Sequence, residues 1–128
     1  MAFAKTVPET IGSITGLASS SSYSSDVYDV RDAVAAEIEL VISASSTPDP
    51  TQGNVTVEVY SAPDGVTPGN EPIFATVIYP STTSYRVQVP VNVIAARYIC
   101  VVVSNNMKDA SGVGVTADLT INASKTTV

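Results

Sequence analysis

Histidine and tryptophan are missing from this sequence of 128 residues, and cysteine occurs once, at Cys100. Without histidine, Ser-His-Asp and Cys-His nucleophilic sites cannot be assembled, and imidazole ligands for zinc or iron are gone. A single cysteine leaves no intrachain disulfide, so the fold must stand on packing alone. Its setting in Ile99-Cys100-Val101 reads as a small buried hydrophobe rather than a reactive thiolate. Positive charge is scarce as well: six Lys and Arg against twelve Asp and Glu give a net charge of −6. Lys5, Arg31, Arg86, Arg97, Lys108 and Lys125 are scattered without a cluster, which leaves no basic footprint for nucleic acid or anionic lipid. No apolar run reaches the ~18 residues a membrane span needs. The start Met1-Ala2-Phe3-Ala4-Lys5 lacks a basic leader followed by an apolar core, so the expected place of synthesis is the cytoplasm.

What is present is hydrophobic patterning. Apolar residues make up 45% of the chain, enough to bury a core in one domain of this length. Four segments alternate with period two: Ile38, Leu40, Ile42; Val55, Val57, Val59; Tyr85, Val87, Val89; and Val113, Val115, Ala117, Leu119, Ile121. Their opposite faces carry residues such as Glu37, Glu39, Thr56, Glu58, Arg86 and Asp118, as half-buried antiparallel strands should. Residues 73–79 and 98–103 are continuous β-branched runs and fit strands covered on both faces. Turn signals separate these segments, among them Thr47-Pro48-Asp49-Pro50-Thr51-Gln52-Gly53 and Pro63-Asp64-Gly65.

Residues 10–17 suit a short bulged or edge strand because Gly12 and Gly16 interrupt them. Residues 19–25 form a serine-rich loop by default, followed by a brief strand at 27–30. A helix competes only at residues 31–40, where Ala33, Ala35 and Ala36 favour it, but the clean alternation of Glu37 to Ile42 keeps the second half as strand; a single helical turn fits 90–96. About eight strands make an all-β chain, an antiparallel β-sandwich of jelly-roll type, with an immunoglobulin-like sandwich as the runner-up. The expected layout is an extended N-terminal arm at residues 1–9, one sandwich domain at 10–122 and a tail at 123–128.

Chemistry-bearing constellations are thin. Lys5, Lys108 and Lys125 lie near the termini or in a loop, unsuited to serine-lysine catalysis. Glu37, Glu39 and Glu58 sit on polar strand faces, where solvation accounts for them better than glycoside hydrolysis does. Asp26, Asp29 and Asp32, with Asp49, Asp64 or Asp109, could supply oxygen ligands to calcium, but a solvated acidic loop is the favoured reading. The glycines lack phosphate-loop spacing. No cofactor is expected. Tyr23, in the serine loop, and Tyr60, on a polar strand face, are candidate exposed contact residues or rim packing.

The block Val55-Thr56-Val57-Glu58-Val59-Tyr60-Ser61-Ala62-Pro63-Asp64-Gly65, followed by Ala96-Arg97-Tyr98-Ile99 and a valine strand ending at Asn105, resembles small jelly-roll modules. Such modules occur in sugar-binding sandwich domains and in virion proteins of tailed bacteriophages. The acidic, cysteine-poor composition resembles a capsid decoration or cement protein most. That resemblance implies a non-enzymatic role on the outer capsid surface, with the major capsid protein and copies of the chain itself, as in a trimer, for partners. It implies contacts through the arm, with Phe3, Lys5, Val7 and Pro8 as candidates beside Tyr23 and Tyr60. The alternatives are a carbohydrate- or receptor-binding module and a tail or baseplate subunit.

Overall fold

The computed structural model describes residues 2–128, and Met1, the first residue of the expected arm, lies outside them. Among the described residues the chain forms ten strands: β1 (Ala4–Lys5), β2 (Glu9–Leu17), β3 (Ser21–Ser24), β4 (Tyr28–Asp29), β5 (Ala33–Ala44), β6 (Asn54–Ser61), β7 (Phe74–Ile78), β8 (Ser84–Asn92), β9 (Tyr98–Asn106) and β10 (Ala117–Thr127). They make two antiparallel sheets. In one, β10 lies between β5 and the β1/β2 edge, and β8 flanks β5; in the other, β9 lies between β6 and the β3/β4 edge, and β7 flanks β6.

β1 with β2, and β3 with β4, each occupy one position in a sheet, so the ten strands fill eight positions. The first position then pairs with the last, the second with the seventh, the third with the sixth and the fourth with the fifth. A long hairpin rolled upon itself gives this order, and it is the jelly roll.

The alternating segments supply the core. Ile38, Leu40 and Ile42 from β5, Val55, Val57 and Val59 from β6, Ile99, Val101 and Val103 from β9, and Leu119 and Ile121 from β10 are all essentially inaccessible to solvent. Each such side chain contributes roughly 1.5–3 kcal/mol by leaving water. Cys100 is buried as well, with Sγ 3.4 Å from the Ser25 carbonyl oxygen. Burial pushes its thiol pKa up, opposite to what a nucleophile requires.

The structure redraws several expectations. The serine loop holds β3, because pairing with β9 satisfies its backbone and Ser22 meets Ser104 across the strands at 2.8 Å. Residues 73–79 are not doubly covered: β7 is an edge strand, and Ile73, Val77 and Tyr79 stay exposed. Val113 and Val115 precede β10 in a loop closed by a Lys108–Gly114 bridge. The helix that competed at residues 31–40 does not form: β5 starts at Ala33, includes the alternating Glu37 to Ile42, and is central, pairing with β10 and β8.

Residues near both ends of the described chain are drawn into the sheet. Ala4 and Lys5 pair with Thr127 and Thr126, and Glu9 already opens β2 opposite Ala123. Residues 123–127, expected as a tail, are the end of β10, where Ala123 and Ser124 are buried. The edge position beside β10 satisfies backbone groups that a free arm or tail would leave to water.

Candidate contact surfaces

The arm is held by few bonds. Thr6 N donates to the Lys125 carbonyl at 2.9 Å, Lys125 N donates to Thr6 Oγ1 at 3.0 Å, and Lys5 Nζ meets Glu37 Oε2 at 3.0 Å. That ion pair is solvent-exposed and holds the arm weakly. Phe3 and Val7 remain 68% and 86% exposed, and Pro8 is exposed too. Four of the six expected contact residues thus lie together on one weakly tethered edge, with two large apolar side chains uncovered.

Tyr23 and Tyr60 are elsewhere and are engaged. The Tyr23 hydroxyl accepts a hydrogen bond from Ser13 N at 3.0 Å, and its ring packs against the core from β3 across to β2. Tyr60 is half-buried on the outer face of β6 and donates to Glu58 Oε2 at 3.2 Å. Partial burial, then the Glu58 carboxylate, raise its phenol pKa.

The acidic residues serve turns and ion pairs. Asp29 binds Arg31 at 2.7 Å, and the Arg31 side chain and backbone N–H together lower its pKa to about 2. Arg31 in turn stacks over the Tyr98 ring, 5.0 Å from its centroid. Asp49 accepts from the amide and hydroxyl of Thr51, Asp64 from the amides of Val66 and Thr67, and Asp109 from those of Ser111 and Val113. These are Asx turns. Among the described residues no group of three or more Cys, Asp or Glu side chains converges as a metal site would require.

Beside the arm, Lys125 ties the end of β10 to the segment between β4 and β5. Its ammonium group, with only 16% of the side chain exposed, donates to Asp32 Oδ1 at 2.7 Å and to the Asp29 carbonyl at 2.9 Å. It also lies 5.7 Å from the Tyr28 ring centroid. An open hollow of about 260 Å³ lies next to it, lined by Thr6, Val7, Glu9, Tyr28, Asp29 and Lys125. A second groove of about 360 Å³ is lined by Ser61, Ile73, Asn92, Ile94, Ala95 and Ala96.

Sequence reasoning missed Asn105. It is fully buried, its Nδ2 donates to the carbonyls of Leu17 and Val115 at 2.9 and 2.8 Å, and its Oδ1 accepts from Met107 N at 3.0 Å. An Asn at the end of a valine strand was the available signal, because a polar group there must find partners.

Strand order and core define a jelly-roll β-sandwich with a weakly held arm on one edge. No protein-family model and no curated protein matches the sequence. Solved structures do match in fold. The chain is similar to the PBSX exported protein XepA, with 12% identity and a TM-score of 0.55 over 93% of this chain, which spans 36% of XepA. It is similar over nearly full length to the SPBc2 prophage-derived protein YomS, with 14% identity and a TM-score of 0.51 over 99% of this chain and 96% of that one. A carbohydrate-binding module of Cellvibrio mixtus lichenase 5A, solved with cellotriose, gives a TM-score of 0.45 at 15% identity over 91% of this chain and 85% of the module, too weak a likeness to weigh.

Proposed function

We propose that this chain is a non-enzymatic structural protein of a phage virion, a decoration or cement protein that binds the outer capsid surface and stabilises contacts between capsomers. The observation that carries the reading is the edge formed by residues 2–8, where Phe3 and Val7 stand uncovered on a segment tethered by a handful of bonds. Such a segment can leave its own sheet edge at little cost and dock on a neighbour, adding main-chain bonds and burying both side chains. Binding made only in the assembled shell then stabilises the shell by linkage and avidity. The likeness in fold to the SPBc2 prophage-derived protein YomS, matched over nearly its whole length, supports the setting. The acidic charge supports a protein partner over nucleic acid.

A carbohydrate-binding role has less behind it, because the hydroxyls of Tyr23 and Tyr60 are already bonded within the chain. The test is imaging of purified particles carrying the full chain or a chain lacking residues 2–8. External capsid density of about 13 kDa per copy that disappears with the deletion supports the reading. Unchanged occupancy refutes the role of the arm, and density on the tail alone replaces the capsid role with a tail one.

A further inference from the structure

We infer that β7 is a self-association edge, pairing antiparallel with β7 of a second copy to join the two four-position sheets into one continuous sheet. The inference is independent of the virion role. It begins with how the other edges are closed. At the β2/β3 side, Ser13 N bonds the Tyr23 hydroxyl and Asp26 N bonds the Ile11 carbonyl at 2.8 Å, which joins the two sheets across the corner. At β8, Arg86 and Pro90 stand within the strand, a charge and a missing donor of the kind that blunts an edge. β7 carries neither, and it hydrogen-bonds on one side only, to β6.

The sequence around β7 is self-complementary. A two-fold axis through Thr76 sets Ala75 of one copy opposite Val77 of the other, and Phe74 opposite Ile78. Ile73 and Tyr79 flank the strand, with Pro72 and Pro80 beyond them. Every facing pair is apolar or, at the axis, threonine on threonine, and aromatic with β-branched neighbours are among the favourable cross-strand pairs. Ile73, Val77 and Tyr79 are 47%, 43% and 54% exposed in the single chain, and the pairing sets Val77 of each copy beside Ala75 of the other.

Charge confines a second copy to this strip. Two copies each carrying −6 repel wherever acidic surfaces meet, and residues 72–80 form a strip with no charged side chain. The opposite broad face is unsuited, since Glu37 and Glu39 with Lys5 and Arg86 populate it. Pairing over one short strand makes a small interface, for which a dissociation constant in the micromolar range, weaker than about 1 μM, is expected.

Sedimentation of the full chain from about 1 μM to about 1 mM tests this. The expected result is a shift from 13.2 kDa to twice that mass. The paired substitution Ala75→Lys with Val77→Lys places like charges opposite each other on outward-facing, exposed positions and should hold the chain at the monomer mass with an unchanged β spectrum. Mixing it with Ala75→Glu/Val77→Glu should restore a heterodimer. Wild type that stays monomeric throughout, a dimer that survives the lysine pair, or a mixture that fails to associate overturns the inference. Should the variants not fold, amide exchange of the wild type decides: exchange at residues 73–79 must quicken on dilution, and exchange insensitive to concentration there overturns it.

Discussion

The side-chain amide of Asn105 donates to the main-chain carbonyl of Val115, 2.8 Å away, from complete burial. With its bonds to Leu17 and Met107 it joins the end of β2, the end of β9 and the loop before β10. Replacing Asn105 by Ala removes the side-chain partner of two main-chain carbonyls and one N–H at buried residues, each loss costing ~1–3 kcal/mol where nothing replaces it. The expected loss in urea unfolding is ~3 kcal/mol or more, seen as a lower midpoint at unchanged slope. A loss below ~1 kcal/mol would show that these groups find other partners.

Gly12 and Tyr23 are matched. A Cβ at residue 12 would stand 2.8 Å from the Tyr23 hydroxyl oxygen and 2.9 Å from the ring edge. Gly12→Ala should therefore destabilise by ~1–3 kcal/mol through overpacking. In a Tyr23→Ala background the same change should cost less, with a coupling above ~0.5 kcal/mol in a double-mutant cycle. Additive losses would mean that the Ser25 backbone, 3.2 Å away, sets the limit instead.

Acid should weaken the β4–β5 segment. Asp29 and Asp32 are held below the ordinary carboxylate value of 3.8, Asp29 by the Arg31 side chain and then its backbone N–H, and Asp32 by its hydrogen bond to Lys125. A lowered carboxylate stabilises the fold above its unfolded pKa, and that contribution is lost as pH falls through the folded value. Stability should thus decline from near pH 3.8 toward about pH 2. Both carboxylates are largely exposed, so solvent screening keeps the change modest. Asp29→Asn with Asp32→Asn should flatten the decline in thermal unfolding between those limits, and an equal decline in the double variant would assign it to other groups.

Lys125 carries the opposite sign. Burial lowers its pKa, and the hydrogen bond and charge of Asp32, with Tyr28 and Asp29, outweigh that and raise it above 10.5. A raised ammonium contributes fully below the unfolded value and loses that contribution as pH rises through the folded one. Lys125→Met keeps the buried stem and removes the charge. It should abolish the part of alkaline destabilisation above pH 10.5 that wild type shows and Asp32→Asn lessens.

Phe3 and Val7 should matter to binding and not to folding. Phe3→Ser and Val7→Ser alter exposed side chains, so unfolding free energy should stay within ~0.5 kcal/mol of wild type. Particle occupancy of the pair should fall at least ~10-fold if each buries its apolar surface on a partner. Equal occupancy would remove these two residues from the contact.

Periodicity made the interior legible. Alternation at Ile38 to Ile42, Val55 to Val59 and Leu119 to Ile121 identified faces that the sandwich buries, because a strand has a period of two whatever it pairs with. The continuous run at Tyr98 to Val103 was a central strand as its pattern implied. The similar run at Ile73 to Tyr79 was not. Apolar content reports what could be covered, whereas the neighbour that does the covering is chosen by strand order.

The contact residues divide along the same line. Sequence placed Phe3, Lys5, Val7 and Pro8 on an extended segment, and proline with weak periodicity is enough for that. It left Tyr23 and Tyr60 between exposed contact and rim packing, because the bond from Ser13 N and the Glu58 carboxylate come from spatial neighbours.

By itself, then, the sequence determined an all-β sandwich, an acidic surface, a disulfide-free core and a set of side chains without histidine chemistry, all properties of local pattern and composition. Tertiary structure alone decided that β1 pairs with the end of β10, that Asn105 fastens three segments, and that β7 is an edge strand. Each of those depends on which distant backbone groups meet, and hydrogen bonds across the rolled hairpin, rather than the residues beside them in the chain, make that choice.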